Sequence, residues 1–191
     1  MFMDLVVQNR SYRGYDESRK IIKEEMLDMI NHARLCASSV NKQPLKYYVA
    51  YDEEMVKKIQ PLTGWAKALD MKLPHDGKCP TGFIVICQDT SIMKNTDAFL
   101  RDVGIVAQTM LLRAVEMGLG GCMIGNFKVE DIQKTLHLKE GIYPHLILAI
   151  GKPDEEVIIT DVQDQKTNYY RDEEDRHYVP KRSLKDLLIN E

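Results

Sequence analysis

Metal-binding and disulfide patterns are missing from the sequence. The 191 residues include four cysteines, none in a CxxC pair, and five histidines, none in an HxxxH pair. Isolated cysteines of this kind are typical of reduced thiols rather than of a secreted disulfide scaffold. We therefore expect a cytoplasmic protein that binds no metal and does not depend on cross-links to fold.

An excess of charge of one sign and a long hydrophobic run are also missing. The chain has 26 Lys and Arg against 29 Asp and Glu, a net charge of −3, which disfavours nucleic-acid binding. The longest apolar stretch, Val103 to Gly125, contains charged and polar residues, so it predicts a buried helix rather than a membrane span. No basic segment precedes the first apolar residues, and no signal peptide is expected.

Common phosphate-binding and hydrolase motifs are absent too. The sequence has no GxxxxGK[ST] loop and no GxSxG elbow. The cluster Gly118-Leu119-Gly120-Gly121 lacks the third glycine of a dinucleotide fingerprint and follows a helix instead of a strand. It indicates either a helix cap and turn, or a backbone that approaches a flat ligand closely. Cys122 has no histidine nearby in sequence, which favours a packed thiol over a catalytic one.

Hydrophobic periodicity predicts helices and strands in a single domain. With 44% hydrophobic residues, a chain of this length can bury a substantial core. Apolar residues at helical spacing over 95–117 predict a core helix about 30 Å long. Further helices are expected from about residue 23, after residue 52, and at 65–69, 129–136 and 183–189, with strands at 47–51, 83–87, 121–125 and 146–150.

The composition changes after Gly151. The segment from Pro153 to Arg176 contains nine acidic and three basic residues and only scattered apolar ones, so it cannot build a core of its own. We expect this segment and the short helix after it to form an arm that wraps over a folded body, which could belong to a partner subunit.

A compact group of cations lies near the N-terminus, in Arg10-Ser11-Tyr12-Arg13. Arginine forks and a serine hydroxyl suit a phosphate group, although a solvated basic cluster is also consistent with the pattern. Lys181 and Arg182 offer more positive charge from the other end of the chain. If the two ends meet, four cations converge on one anion.

A polar loop, Ser38 to Pro44, lies between a predicted helix and a predicted strand. Its Asn41 and Gln43 amides each present an acceptor and two donors, which would match the carbonyl and N–H edge of a pyrimidine-like ring. Ordinary turn chemistry is the alternative interpretation of the same residues.

Five motifs match, in order and separation, a set known from one protein family. They are Arg10 to Tyr15 (R-S-x-R-x-[FY]), Ser38 to Pro44 (S-S-x-N-x-Q-P), Glu116 to Gly125 (within A-x-x-x-G-L-G-x-C-x-I-G), Leu146 to Pro153 (a strand followed by G-x-P) and Lys181 to Leu184 (a basic C-terminal element). Together they resemble the nitroreductase family of flavoproteins over nearly the whole chain. Ala37 departs from the pattern, which commonly has proline there.

The resemblance implies an α+β fold in which a central, mostly antiparallel sheet is flanked by helices. It implies one FMN-binding domain over residues 1–191, with 152–191 as an arm exchanged between the subunits of a homodimer. Flavin N5 would carry the chemistry, so no catalytic side chain is implied. The implied cofactor-binding residues are Arg10, Ser11, Tyr12, Arg13, Ser38, Ser39, Asn41, Gln43, Ile124, Gly125, Asn126, Lys181 and Arg182.

Within that set, the resemblance implies particular roles. Arg10, Ser11 and Lys181/Arg182 would hold the phosphate, and Arg13 would lie beside flavin N1 and O2. Asn41 and Gln43 would address the polar edge of the ring, and backbone amides of 124–126 would meet N5 and O4. Ser38 and Ser39 would reach the FMN of the other subunit.

The implied activity is ping-pong transfer of hydride from NAD(P)H to flavin N5 and then to a small electron-poor acceptor, such as a nitroaromatic or a quinone. Two alternatives stay open: a specialised relative such as a flavin-dependent dehalogenase, and a non-catalytic flavin-binding protein. Residues 61–80 match no motif, so the acceptor is not implied. Lys67, Lys72 and His75 are candidates for contacts with it.

Overall fold

A five-stranded antiparallel sheet forms the centre of the computed structural model, which describes residues 1–95 and 97–190. Strand β5 (Ile142–Pro153) pairs with β3 (Gly82–Asp89), β4 (Gly120–Ile124) and β1 (Tyr15–Asp16), and β2 (Leu45–Ala50) pairs with β3. The apolar runs predicted as strands at 83–87 and 146–150 lie within β3 and β5 and are largely buried. The predicted α+β fold with a mostly antiparallel sheet is confirmed.

Helices cover both faces of this sheet. They are α1 (Phe2–Gln8), α2 (Lys23–Ala33), α3 (Glu53–Ile59), α4 (Leu100–Glu116) and α5 (Val129–Thr135). The short α6 (Leu184–Leu187) lies in the arm and contains no buried residue. Alternate residues of β3 and β5 point to opposite faces, so each face has its own hydrophobic cluster. Met29 and Met110 of α2 and α4 pack on one face, and Ile59 and Ile132 of α3 and α5 pack on the other.

The core helix α4 ends just before Gly118, where the glycine predicts a helix end. Gly118 has φ +70°, a left-handed conformation that glycine adopts without steric cost, and the Leu119 N–H donates to the Ala114 carbonyl at 2.9 Å. The start of the helix differs from the prediction at residue 95. Residues 97–99 form a 3-10 turn before α4 begins, and residue 96 lies outside the described residues.

Two predicted helices are shorter than expected or missing. Residues 65–69 contain no helix: the Leu69 N–H donates to the Ala66 carbonyl at 2.8 Å in a single turn, and Ala66 has φ +37°, which is incompatible with a right-handed helix. The last helix spans only Leu184–Leu187 instead of 183–189, and its Leu184 is 73% exposed. A helix this short is stable only when its apolar face is packed, and Leu184 and Leu187 are left exposed by the residues that the structure describes.

The acidic arm contains strands that the sequence analysis did not predict. Strands β6 (Val157–Asp161), β7 (Tyr170–Arg171) and β8 (His177–Lys181) form a small second sheet, with β8 parallel to β6 and antiparallel to β7. The arm docks on the N-terminal segment of its own chain, where the Asp154 N–H donates to the Gly14 carbonyl at 3.0 Å. Exchange of the arm in a homodimer stays a prediction.

In the part of the chain that the structure describes, no helix combines the length and the hydropathy needed to cross a bilayer.

Candidate functional site

The two ends of the chain meet at a cavity of about 290 Å³. Its lining residues come from the segment before β1 and from the arm: Asn9, Arg10, Ser11, Arg13, Tyr169, His177, Val179 and Lys181. Three of the four cations predicted to converge, Arg10, Arg13 and Lys181, therefore line one cavity. None of the lining residues carries a carboxylate, so the cavity favours an anion.

The N-terminal segment is held in place by the glycines of β4. Ser11 forms a bridge with Gly121, and the Tyr12 N–H donates to the Gly121 carbonyl at 3.1 Å. A Cβ on Gly120 would lie 2.6 Å from Cδ2 of Tyr12, and one on Gly121 would lie 2.4 Å from the Ala149 carbonyl oxygen. These two glycines allow close packing within the protein, which favours the structural interpretation of the cluster over ligand contact.

The two arginines of the segment have different surroundings. Arg10 donates from Nη2 to the Val6 carbonyl at 2.7 Å, and its buried Nε has no partner among the described residues. Burial lowers the pKa of Arg10 from its ordinary value. Arg13 is only 9% exposed, donates from Nη1 to the Ser11 carbonyl at 3.1 Å and stacks over the Tyr169 ring at 5.0 Å. Arg13 is therefore oriented by protein contacts, in part from the arm.

A buried ion pair fixes the arm beside Arg13. The Glu155 carboxylate accepts hydrogen bonds from the Arg13 backbone N–H and from Arg171 Nη2, and the side chains of Glu155 and Arg171 are only 5% and 2% exposed. Asp175 also pairs with Arg171, at 3.0 Å. These contacts bring β8 to the cavity, so that Lys181 at its end can line the wall.

Arg182, the next residue, is not among those that line the cavity. Its Nη1 donates to Gln165 Oε1 on the loop between β6 and β7. Successive side chains of an extended segment point in opposite directions, which explains why Lys181 and Arg182 separate. The sequence alone predicts that Lys181 and Arg182 act together as one basic element.

Cys122 is a packed thiol next to this region. It is buried in β4, and burial raises its pKa to about 11, with Arg13 opposing the shift. A thiol with such a pKa is protonated at neutral pH and is a weak nucleophile. This favours the packed interpretation.

The polar loop 38–43 lies at a different place in the chain's fold. Buried Asp102 of α4 accepts from Ser38 Oγ at 2.7 Å and from the Ser39 N–H at 3.0 Å. Asn41 and Gln43 have left-handed φ values of 54° and 51°, and Gln43 Nε2 donates to Asn41 Oδ1 at 3.1 Å. Ser38 and Gln43 line a second cavity of about 240 Å³. In the single chain, this loop does not join the Arg10 cavity.

The end of β4 packs against the unassigned segment 61–80. Ile124 is buried, Asn126 is exposed, and a Cβ on Gly125 would have no heavy atom within 4 Å. The Asn126 carbonyl accepts from the Gly64 N–H at 2.7 Å, and the Asn126 side chain fills the space where a Gly64 Cβ would lie. Next to Gly64, Trp65 lines a cavity of about 740 Å³ between this segment and α3.

Comparison with known families identifies the chain. The model described as "Nitroreductase family" matches residues 6–69 and 78–152, well over half of the sequence. The chain belongs to the nitroreductase family. The match stops at residue 152 and leaves out residues 70–77, so it does not include the arm or the middle of the unassigned segment.

Relatives of known sequence and structure agree with nitroreductase membership. A protein of Methanothermobacter thermautotrophicus with the provisional name NADH dehydrogenase/NAD(P)H nitroreductase is 27% identical over 158 residues, covering 80% of this chain and 78% of that protein. An FMN reductase (NADPH) of Bacillus subtilis is 23% identical, covering 79% of this chain and 65% of that protein.

Two solved structures are similar in fold. An FMN-dependent nitroreductase of Clostridium difficile R20291 is 25% identical, with a TM-score of 0.66 over 81% of this chain and 88% of that one. NfrA1 of B. megaterium has a TM-score of 0.70 at 22% identity, over 89% of this chain and 73% of that one.

Sequence reasoning missed Asn9 and Val179 of the cavity wall, and four polar or aromatic residues that complete this nitroreductase cavity or hold it together: Glu155, Tyr169, Arg171 and His177. All four lie in the arm, beyond the family match and outside the motifs. The only signal was indirect. Arg171 is a basic residue next to a run of acidic ones, and His177 directly follows the acidic segment; nothing in that pattern predicts that either side chain is buried.

Proposed function

We propose that the protein is an FMN-dependent oxidoreductase that takes reducing equivalents from NAD(P)H and reduces a small electron-poor acceptor, nitroaromatic or quinone-like. Family membership, with relatives named NAD(P)H nitroreductase and FMN reductase (NADPH), makes this chain an NAD(P)H-dependent flavin oxidoreductase. When bound, FMN would supply the hydride-accepting N5 atom that lets donor and acceptor react in turn, in a ping-pong sequence.

The observation that supports FMN most directly is the donor set of the cavity between the chain ends. Arg10, Arg13 and Lys181 line it without a carboxylate, and the buried Nε of Arg10 has no partner among the described residues. A phosphate monoester offers three acceptor oxygens and negative charge, which complements this set. Arg10 and Lys181, with the Ser11 hydroxyl, would hold the phosphate, and Arg13 would lie farther along the same cavity.

Arg13 would act on the redox properties of the cofactor. Its guanidinium is oriented by Ser11 and Tyr169, so it does not have to reorganise to face a ring edge. A fixed cation favours the anionic form of a neighbouring group, so Arg13 would favour the reduced flavin if it lies near N1 and O2.

The end of β4 would receive the ring's other polar edge. The open space beside Gly125 leaves room for a flat ligand near the backbone amides of 124–126, and Gly64 and Asn126 place the 61–80 segment next to them. The loop 38–43, held by Asp102, would supply Ser38 and Ser39 to the site across a homodimer interface. Asn41 and Gln43 lie on the same loop, away from the Arg10 cavity of their own chain, so we propose that they too would address the ring of the other subunit's FMN.

An anaerobic absorption spectrum of the purified protein tests this function. We expect flavin bands, either as isolated or after FMN is added, that bleach when NADH or NADPH is supplied. Bands that persist with both nucleotides would contradict the enzymatic function and favour a non-catalytic flavin-binding protein. Failure to retain or take up FMN would contradict the cofactor assignment itself.

A further inference from the structure

His177 is a buried member of the cavity wall that no motif includes. It is the first residue of β8, is 1% exposed, and its backbone N–H donates to the Glu156 carbonyl at 2.9 Å. Its side chain lines the cavity together with Arg10, Ser11 and Lys181. A buried histidine between cations needs an explanation, because an imidazole is not an obvious partner for arginine.

The contact with Arg13 defines the protonation of the ring. Arg13 Nη1 lies 3.4 Å from His177 Nδ1, and since a guanidinium can only donate, Nδ1 is the acceptor and the ring proton is on Nε2. Burial and the charges of Arg13 and Arg171 lower the pKa of His177 to about 4, with Asp175 opposing them. At neutral pH the ring is therefore uncharged and has one N–H donor.

The Nε2–H donor of His177 faces no acceptor in the part of the chain that the structure describes. His177 Nε2 is buried without a hydrogen-bond partner among the described residues, and so is Nε of Arg10. Both side chains line the same cavity, whose wall has no carboxylate. Buried donors without partners are costly and are usually satisfied by a ligand or a water molecule when one is bound.

We propose that His177 donates a hydrogen bond from Nε2 to the phosphate of FMN, as an uncharged donor beside Arg10 and Lys181. The proposal rests on the proposed function, because it assigns the cavity to the flavin phosphate. It adds a phosphate-binding residue that comes from the arm and lies beyond the family match.

The competing role for His177 is packing alone. Its ring meets the edge of the Tyr169 ring, with centroids 5.4 Å apart and planes at 71°. Two amide substitutions separate the roles. His177→Asn places an amide near Nδ1, where it can still accept from Arg13, but does not reach the Nε2 position. His177→Gln can place its amide N–H near Nε2.

Binding of FMN and of riboflavin, which lacks the phosphate, to the wild-type protein and both variants tests the proposal. We expect His177→Asn to bind FMN about 10- to 100-fold more weakly, with riboflavin affinity unchanged, and His177→Gln to stay within about 3-fold of wild type for both flavins. Equal FMN affinity in all three proteins, or parallel loss of both flavins in His177→Asn, would overturn the proposal.

Nitrogen-15 NMR of the wild-type histidines provides a test that does not depend on how the variants fold. We expect the Nε2-protonated form of His177 at pH 7 and a downfield shift of its Nε2 proton with FMN but not with riboflavin. An Nδ1-protonated ring, or the same shift with both flavins, would contradict the proposal. Wild-type protein that binds neither flavin would overturn the proposed function, and this assignment with it.

Discussion

The body of the protein, residues 1–151, and the described part of the arm, residues 152–190, are stabilised in different ways. The body has a hydrophobic cluster on each face of its central sheet, built from the helices and strands that the family match covers. Among the described arm residues, only His177 is buried as a whole. Hydrogen bonds from the Arg13 N–H to Glu155 and from the Asp154 N–H to the Gly14 carbonyl attach the arm to the body, and Arg171 pairs with Glu155 within the arm. Apolar area stabilises the body, whereas a few directional contacts position the arm.

This difference shows how a short arm without a core can still complete a site precisely. Apolar contacts have no directional preference, but a buried ion pair is stable only in a narrow geometry, because both charges have lost water. Glu155 accepts from the Arg13 backbone and from Arg171 and so aligns the arm with the N-terminal segment. The body should therefore be sensitive to changes of shape, and the arm to changes of charge.

The largest effect is expected at the junction of the two regions. Arg10→Ala/Arg13→Ala removes two charged donors from the cavity, so FMN affinity should fall by about 10³-fold, at roughly 1.5–3 kcal/mol for each contact. Arg101→Ala/Lys139→Ala removes the same charge from exposed positions and should leave affinity unchanged. Titration of apoprotein with FMN measures both. A double variant at 10 and 13 that retains stoichiometric FMN would contradict the site assignment.

In the body, Gly121→Ala tests sensitivity to shape. The added Cβ would lie 2.4 Å from the Ala149 backbone oxygen, so β4 and β5 must separate, at a cost of about 3 kcal/mol in the free energy of unfolding. Gly125→Ala is the matched control, since its Cβ meets no atom within 4 Å and stability should be unchanged. Urea unfolding compares the two. Equal stability would mean that the glycines of β4 are not needed for packing.

In the arm, Glu155→Gln tests sensitivity to charge. Without the carboxylate, Arg171 loses a buried partner, and we expect docking of the arm to weaken by about 2–3 kcal/mol. Glu156→Gln, at the exposed neighbour, should have no such effect. Hydrogen exchange of the β8 amides reports docking directly. If the β8 amides of both variants are protected from exchange as strongly as those of the wild-type protein, the charge of Glu155 does not position the arm.

Acid should loosen the arm through His177 before it affects the body. The pKa of His177 is about 4 in the folded chain and near its ordinary 6.5 in the unfolded chain. Below pH 6.5 the unfolded state therefore binds more protons than the folded state, and the free energy of unfolding decreases as the pH is lowered. Between pH 8 and pH 5 the wild-type protein should lose about 2 kcal/mol more than His177→Gln does. Identical losses in urea unfolding would show that His177 does not titrate in this way.

The sequence predicted the body better than the arm because the body's signals are local. The runs Phe83 to Cys87 and Leu146 to Ile150 and the glycine at 118 determine strands and a helix end from neighbouring residues. The strands of the arm depend on pairing between β6 and β8, twenty residues apart in sequence and with little hydrophobic alternation. The β-branched run Val157 to Thr160 in β6 has strand propensity, but it is short and shows no period of two that predicts its pairing with β8.

The candidate site divides in the same way. Arg10, Arg13 and Lys181 could be predicted from their chemistry and from the resemblance, and the structure brings them to one cavity. The separation of Lys181 from Arg182 depends on the direction of each side chain in β8 and after it, which composition does not encode. Asp102, which anchors the loop at 38–43, is about sixty residues away from that loop in sequence and gave no signal.

We propose that the arm brings Lys181, and not Arg182, to the phosphate of FMN. Titration of FMN into Lys181→Ala and Arg182→Ala tests this most directly, because the two variants lose the same charge at adjacent positions. We predict that Lys181→Ala binds FMN about 10-fold or more weakly than wild type, since a charged contact is worth roughly 1.5–3 kcal/mol, while Arg182→Ala binds normally. Equal losses in both variants, or a larger loss in Arg182→Ala, would contradict the claim.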